Sequence, residues 1–225
     1  MFSRVRLAAL VVGVSLLGAS SSFAALVGVD NRAALSATDS VLWSALGGDL
    51  TPLTSPTATT TTNGVDVTVD GPSAFTLFSG STFNADFLAD DTVLSAFDLV
   101  DTEEGVFGPI RLTFATAQSG AGAQIQSNAA GSFIGTIRAF GAGGTLLGSY
   151  SADGLNGQNG DGSALFLGVR SDANDIFAVE FDIMRSTGFA INDVSLVRTP
   201  DVPEPMSLTL VLLGTGFAVS RRRRR

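Results

Sequence analysis

The chain between its two ends predicts an all-β fold, an antiparallel β-sandwich. Three observations carry this. From Gly64 onward apolar residues recur at every second position, the period of a strand with one wet face. The runs are short and cut by glycine, of which the chain has 26. No apolar stretch of helical period in this part is longer than Ala33–Leu46.

Ala33–Leu46 reads as the one soluble helix. Thr38 or Asp39 supplies a cap, Val41, Leu42, Ala45 and Leu46 fall on one face, and Gly47-Gly48 ends it. Trp43, the only tryptophan, reads either as a packing anchor between this turn and the sheet or as a platform on which a sugar ring stacks. Residues 51–63 hold seven threonines, Pro52 and Pro56, no charge and no periodic apolar face, so they read as a mobile surface loop and a candidate for O-glycosylation.

Strands follow in order. Val65, Val67 and Val69 alternate with Asp66, Thr68 and Asp70, and Gly71-Pro72 stops them. Ile110, Leu112 and Phe114 repeat the pattern. Over Ser132–Phe140, Phe133 and Ile137 share one face, and Ile134 and Phe140 the other. The turn Gly141–Gly144 folds Thr145–Ser151 back as a hairpin. Ser163–Arg170 puts Leu165, Leu167 and Val169 on one face. Ile176–Met184 points Phe177, Val179, Phe181 and Ile183 inward and Glu180 and Asp182 outward, and Gly188–Val197 closes the domain.

Composition excludes several chemistries. The whole chain carries −8. Residues 25–201 hold six arginines against 20 acids, a balance of −14. Phosphate contact needs basic groups, so this part binds no nucleic acid. Cysteine, histidine and lysine are absent throughout. Their absence removes disulfides, Ser-His-Asp and Cys-His pairs, histidine-ligated zinc and Schiff-base chemistry. Glycoside hydrolysis needs two placed carboxylates. No spacing singles out such a pair, so the reading is not an enzyme, with a polysaccharide hydrolase the least favoured alternative.

Oxygen ligands for calcium are available in two clusters. Asp153, Asn159 and Asp161 lie in a glycine-rich stretch, and Asp172 and Asp175 precede the strand at Ile176. Both clusters read equally as turn chemistry. No other cofactor is called for.

The two ends are of another kind. Residues 1–24 carry Arg4 and Arg6, an apolar run from Leu7 to Leu17 and small residues up to Ala24, the pattern of a cleaved signal peptide. At the other end stand Val202, Pro203, Glu204 and Pro205, then an apolar segment that with Ser220 forms an expected helix over 206–220, then Arg221, Arg222, Arg223, Arg224 and Arg225. Arginine blocks of this kind resist translocation and stay cytoplasmic. Met206–Val219 is 14 residues, roughly 21 Å of helix. A hydrocarbon core is about 30 Å thick, so this is a marginal transmembrane anchor.

The order of motif, apolar helix and basic tail over 202–225 resembles the PEP-CTERM sorting signal of Gram-negative bacteria. The resemblance implies export, transient anchoring in the inner membrane, processing near the motif by exosortase, and a final place at the cell surface or in the extracellular matrix. Within 25–201, the series Asp39–Trp43–Leu46-Gly47, Gly120–Gln126, Phe166–Val169 and Phe189–Val194 is similar to a recurrent ectodomain of PEP-CTERM proteins. The run Phe189–Leu196 also resembles the last strand of jelly-roll carbohydrate-binding modules. Together they imply a jelly-roll-like sandwich in a non-catalytic envelope or matrix protein, with extracellular polysaccharide as the alternative partner.

Overall fold

The computed structural model describes residues 25–71, 74–96, 108–184, 186 and 188–198. The signal peptide, Val202–Pro205, the helix over 206–220 and Arg221–Arg225 lie outside the described residues. No helix among those described is long and apolar enough to cross a membrane.

Among the described residues fifteen strands follow one another: β1 (Leu26–Val29), β2 (Asp39–Val41), β3 (Pro52–Leu53), β4 (Thr57–Thr60), β5 (Asp66–Asp70), β6 (Phe75–Ser79), β7 (Thr92–Ser95), β8 (Ile110–Gln118), β9 (Gly120–Ser127), β10 (Gly131–Phe140), β11 (Leu146–Asn156), β12 (Leu165–Ser171), β13 (Ile176–Met184), β14 (Phe189–Ile191) and β15 (Val194–Val197). Among the described residues one α-helical turn, α1 (Arg32–Leu35), sits between β1 and β2. The strands form two antiparallel sheets. One has nine strands, ordered β1-β12-β9-β14-β7-β6-β3, with β15 also beside β9 and β2 beyond β15. The other has six, ordered β11-β10-β13-β8-β5-β4. The shared core lies between them: Leu77, Leu94, Ala121, Ala123, Ile125, Leu167 and Val169 from the first meet Val67, Val69, Leu112, Ile137, Val179 and Phe181 from the second.

The expected strands are present, with instructive shifts. Phe133 and Ile137 are buried, and Ile134 and Phe140 face outward, where the Arg111 guanidinium lies 4.5 Å from the Phe140 ring centroid. Outward Glu180 pairs with Arg111 at 2.6 Å. Phe177 and Ile183, however, are only half-buried. The β13–β8 register slips between Ile176 and Ala178, and this irregularity turns Ile176 rather than Phe177 into the core. The closing strand is two strands, broken at Asn192-Asp193.

Two expectations are corrected. Ala33–Leu46 is not one helix. Asn31 caps α1 by accepting from the Ala34 N–H at 2.8 Å. Ser36 then takes φ 55° and ψ 50°, the left-handed conformation that ends a helix. After it come β2 and a 3₁₀ turn at Trp43–Ala45. The Thr/Pro-rich segment is likewise no free loop. Thr57–Thr60 is the edge strand β4, registered on Val69–Asp66 of β5. The turn after it is pinned by Asp39, whose Oδ1 accepts from Thr62 Oγ1 at 2.6 Å and from the Asn63 N–H at 3.0 Å.

Candidate functional site

Strand alternation places Gln124, Gln126, Phe166 and Gly168 on the outer face of the nine-stranded sheet, behind inward Ala123, Ile125, Leu167 and Val169. The Phe166 ring lies flat on that face because its neighbours there are glycines. A Cβ at Gly122 would stand 2.7 Å from the ring and 2.8 Å from the Gly168 backbone. α1 closes over the same patch: Val29, Leu35, Phe166 and Val197 form a small second core beneath it. The Arg32 guanidinium reaches over, 5.7 Å from the Phe166 centroid. Between α1 and the start of β12 an open cleft of about 430 Å³ remains, lined by Asp30, Asn31, Arg32, Gln124, Ser163 and Phe166 among others.

One junction fixes the cleft's wall. Where β14 and β15 break, Asn192 spans the gap with both backbone and side chain. Its Oδ1 accepts from the Gln124 N–H at 2.9 Å and from Arg32 Nη2 at 2.9 Å, and its Nδ2 donates to Gln124 Oε1 at 2.6 Å. Arg32 Nη1 also donates to Ser195 Oγ at 2.8 Å. The Asn192 carbonyl accepts from the Trp43 indole at 2.9 Å, and Asp193 Oδ1 accepts from the Trp43 backbone N–H at 2.9 Å. Trp43 is 0% exposed. It is the packing anchor, and it presents no ring face to a ligand, so its reading as a sugar platform is corrected. Trp43, Gln124, Asn192 and Asp193 thus meet in one hydrogen-bonded joint.

A second network, absent from the sequence reading, covers the neighbouring part of the same face. Residues 80–91 fold over the sheet as a loop with their own core of Phe78, Phe83, Ala85, Phe87, Val93, Ala164 and Ala190. Gly80 lets it turn back, since a Cβ there would stand 1.8 Å from the Leu88 carbonyl oxygen. Asp86, only 2% exposed, is its clasp. Its carboxylate accepts from the N–H groups of Gly157 at 2.7 Å and Asn159 at 2.6 Å, and from Gln126 Nε2 at 2.9 Å.

The five candidate calcium ligands are not brought together. Asp153 lies within β11, exposed on the outer face of the six-stranded sheet. Asn159 belongs to the loop clasped by Asp86, and Asp161 Oδ1 accepts from the Ser163 N–H at 3.0 Å, a turn contact. Hydrogen bonds from the Ser163 side chain and backbone hold the Asp161 carboxyl below its usual range. Asp172 and Asp175 follow the far end of β12, roughly 20 Å away at about 3.3 Å per residue. Among the described residues no three acidic side chains group to hold a metal.

Two carboxyls in and near the joint are shifted in opposite directions. Burial raises Asp193 above its ordinary value, reinforced by Asp91 and opposed by the Trp43 N–H and Arg32. For Asp39, burial also pushes upward, but hydrogen bonds from Thr61, Thr62, Ser40 and Asn63 outweigh it and the carboxyl is lowered. A raised native pKa means that the native state holds its proton longer, so stability from Asp193 falls as pH climbs from the ordinary carboxylate value through the raised one. Asp39 acts oppositely, and its contribution is lost as pH falls through its lowered value. Asp193→Asn keeps an oxygen for the Trp43 N–H and removes the buried charge. Its stability relative to the parent is expected to rise from pH 3.5 to pH 7 in urea titrations; a constant or shrinking difference counts against this account.

No protein-family model matches the chain, and no curated protein matches it in sequence. Among solved structures, it is similar to a DUF4465 family protein from Bacteroides caccae, with 10% identity over 76% of this chain and 99% of that one, at a TM-score of 0.42. It is also similar to the CsCBM6-3 module of Clostridium stercorarium, solved in complex with cellobiose, with 11% identity over 68% and 98% of the two chains, at a TM-score of 0.31.

Proposed function

We propose that this chain is an exported, non-catalytic protein of the envelope or extracellular matrix. A signal peptide over 1–24 starts its export, the helix over 206–220 and Arg221–Arg225 hold it in the inner membrane, and exosortase processes it near Val202–Pro205. One structural observation supports a tethered module. Leu26 is registered on Ser171, Arg170 on Gly120, and Gly120 on Val197. The domain therefore begins and ends at the same end of the large sheet, with β12 and β9 between its first and last strands. The cleft and the Asp86-clasped loop lie toward the opposite end, level with Ile125 and Gln126, and so face away from a C-terminal tether. The test is the intact mass of the mature protein from a host that carries exosortase. Loss of residues 1–24 and of everything beyond the motif is expected; recovery with Arg221–Arg225 attached overturns the proposal. Neutral replacements of the five arginines are expected to release unprocessed chain from the membrane, because the apolar segment is short.

The cleft favours a second reading, binding of extracellular polysaccharide. Carboxylate, amide, guanidinium and hydroxyl groups around one open cleft suit a hydroxyl-rich ligand. Asp30 accepts from Asn31 Nδ2 at 2.9 Å and is otherwise exposed, so Asp30→Ala tests binding with little cost to folding. Undiminished retention of this variant on the host's polysaccharide would reject the cleft as the site.

A further inference from the structure

The six-stranded sheet ends on β11, which at 11 residues is the longest strand of the fold. Among the described residues nothing pairs with its outer edge. Such an edge presents a row of unpaired N–H and C=O groups, which monomeric proteins blunt with proline, lysine, bulges or brevity. β11 reads Leu-Leu-Gly-Ser-Tyr-Ser-Ala-Asp-Gly-Leu-Asn, without proline or lysine and with one charge. Its single irregularity falls near its start, opposite Ala139 and Phe140. The strand is firmly seated. Inward Tyr150 packs over Gly28, where a Cβ would stand 2.4 Å from the ring, and Gly154 lies against the Phe133 ring. Leu146, Ser149, Ser151, Asp153 and Leu155 are all exposed, and the two leucines are 55% and 64% accessible.

We propose that β11 pairs antiparallel with β11 of a second copy about a two-fold axis at Ser151. The strand complements itself in that register. Ser151 meets Ser151, Asp153 meets Ser149, and Leu155 meets the Leu146-Leu147 end. Ser149 is registered on Arg138 of β10, so the second copy's Asp153 enters the row that holds this guanidinium. Neighbouring registers lose the match. An axis at Ala152 sets Leu155 against Ser149 and loses the leucine pairing, an axis at Asp153 sets the two carboxylates directly against each other, which is destabilising, and an axis at Tyr150 sets Asp153 against Leu147. The pairing joins two six-stranded sheets into one and closes the β11 edge of each copy, as an isologous dimer does.

The chain has no cysteine, so each introduced thiol is the only one. Directly opposed antiparallel residues have Cα atoms about 4.5–5.5 Å apart, within the range a disulfide spans. The experiment uses the full chain, oxidised in both the membranes and the soluble extract of expressing cells, so that its outcome does not depend on sorting. Ser151→Cys is expected to give a covalent dimer, and Thr113→Cys, exposed on the same face but three strands inward, is expected to give none. Adding Ser149→Asp to Ser151→Cys opposes two carboxylates and is expected to abolish the dimer, and a further Asp153→Arg to restore it. No dimer from Ser151→Cys, equal dimer from Thr113→Cys, or indifference to Ser149→Asp each overturns the proposal.

Discussion

Trp43→Ala is expected to lower stability by about 3–5 kcal/mol, the usual range for truncating a fully buried aromatic residue. Two costs combine. The first is a large cavity at the centre of the main core, where Trp43 is packed with Val41, Val194 and Leu196 among others. The second is the Asn192 carbonyl, which loses the indole N–H at 2.9 Å. Trp43→Phe separates them. It keeps most of the ring volume and is expected to cost about 1–3 kcal/mol, the range for leaving a buried polar group unsatisfied. The measurement is denaturant unfolding followed by far-UV circular dichroism, because the substitution removes the only tryptophan. A loss below about 1 kcal/mol for the alanine variant would show that the joint is not packed as described.

The same joint gives Trp43, Gln124, Asn192 and Asp193 a structural role. Their role is to carry the chain across the β14–β15 break while keeping the Asn192 backbone and side chain bonded. Asn192 makes five hydrogen-bonding contacts there: its backbone N–H donates to the Gln124 carbonyl at 3.1 Å, its carbonyl accepts from Trp43, and its side chain meets Gln124 twice and Arg32 once. A buried network of this kind rigidifies a fold when all members are satisfied. The cleft inherits that rigidity, since Gln124 and Arg32 belong to both.

Alternation made the outer strands legible. β5, β10 and β13 each have one wet face, so their buried positions, such as Val67, Phe133 and Phe181, follow from period two. The central strand β9 carries no such signal. Its inward residues are Ala121, Ala123 and Ile125, and its outer face is covered by α1, the joint and the 80–91 loop, so seven of its eight positions are buried. β6 is buried on both faces for the same reason, under Phe83 and Phe87. The false helix at Ala33–Leu46 arose because Val41, Leu42, Ala45 and Leu46 have helical spacing, although Val41 and Trp43 in fact enter the core from a strand and a tight turn. β4 was hidden by its composition. Threonine favours strands, but an edge of Thr-Ala-Thr-Thr, with two half-buried and two exposed residues, shows no apolar face. The cleft was not legible because Arg32, Gln124 and Phe166 come together only through sheet pairing and the packing of α1. Asp86 was hidden for the same reason, since its partners lie 40 to 73 residues away.

Asp86→Ala is the second large effect. The substitution strands the N–H groups of Gly157 and Asn159 and one N–H of the Gln126 amide, all held at 2.6–2.9 Å by one carboxylate, while Gln126 Nε2 keeps the Leu155 carbonyl at 3.1 Å. Each buried donor left without a partner costs about 1–3 kcal/mol, though water reaching the exposed 157–160 loop relieves part of this for Gly157 and Asn159. A loss of about 2–4 kcal/mol is expected, since hydrogen bonds to a charged acceptor contribute about 1.5–3 kcal/mol each and water recovers part of it. The effect has a location as well as a size. Gly160 N–H donates to the Ala85 carbonyl at 3.1 Å, and Ala164 N–H to the Asp86 carbonyl at 3.2 Å, so releasing the clasp frees the 80–91 and 157–162 loops together. Hydrogen exchange is expected to rise in both loops while β10 and β13, in the other sheet, keep their protection. Asp86→Asn offers one carboxamide oxygen to the three donors, and its own N–H₂ faces other donors, so it is expected to recover only part of the loss. Equal exchange changes across both sheets would mean that Asp86 supports the whole sandwich rather than its outer loops.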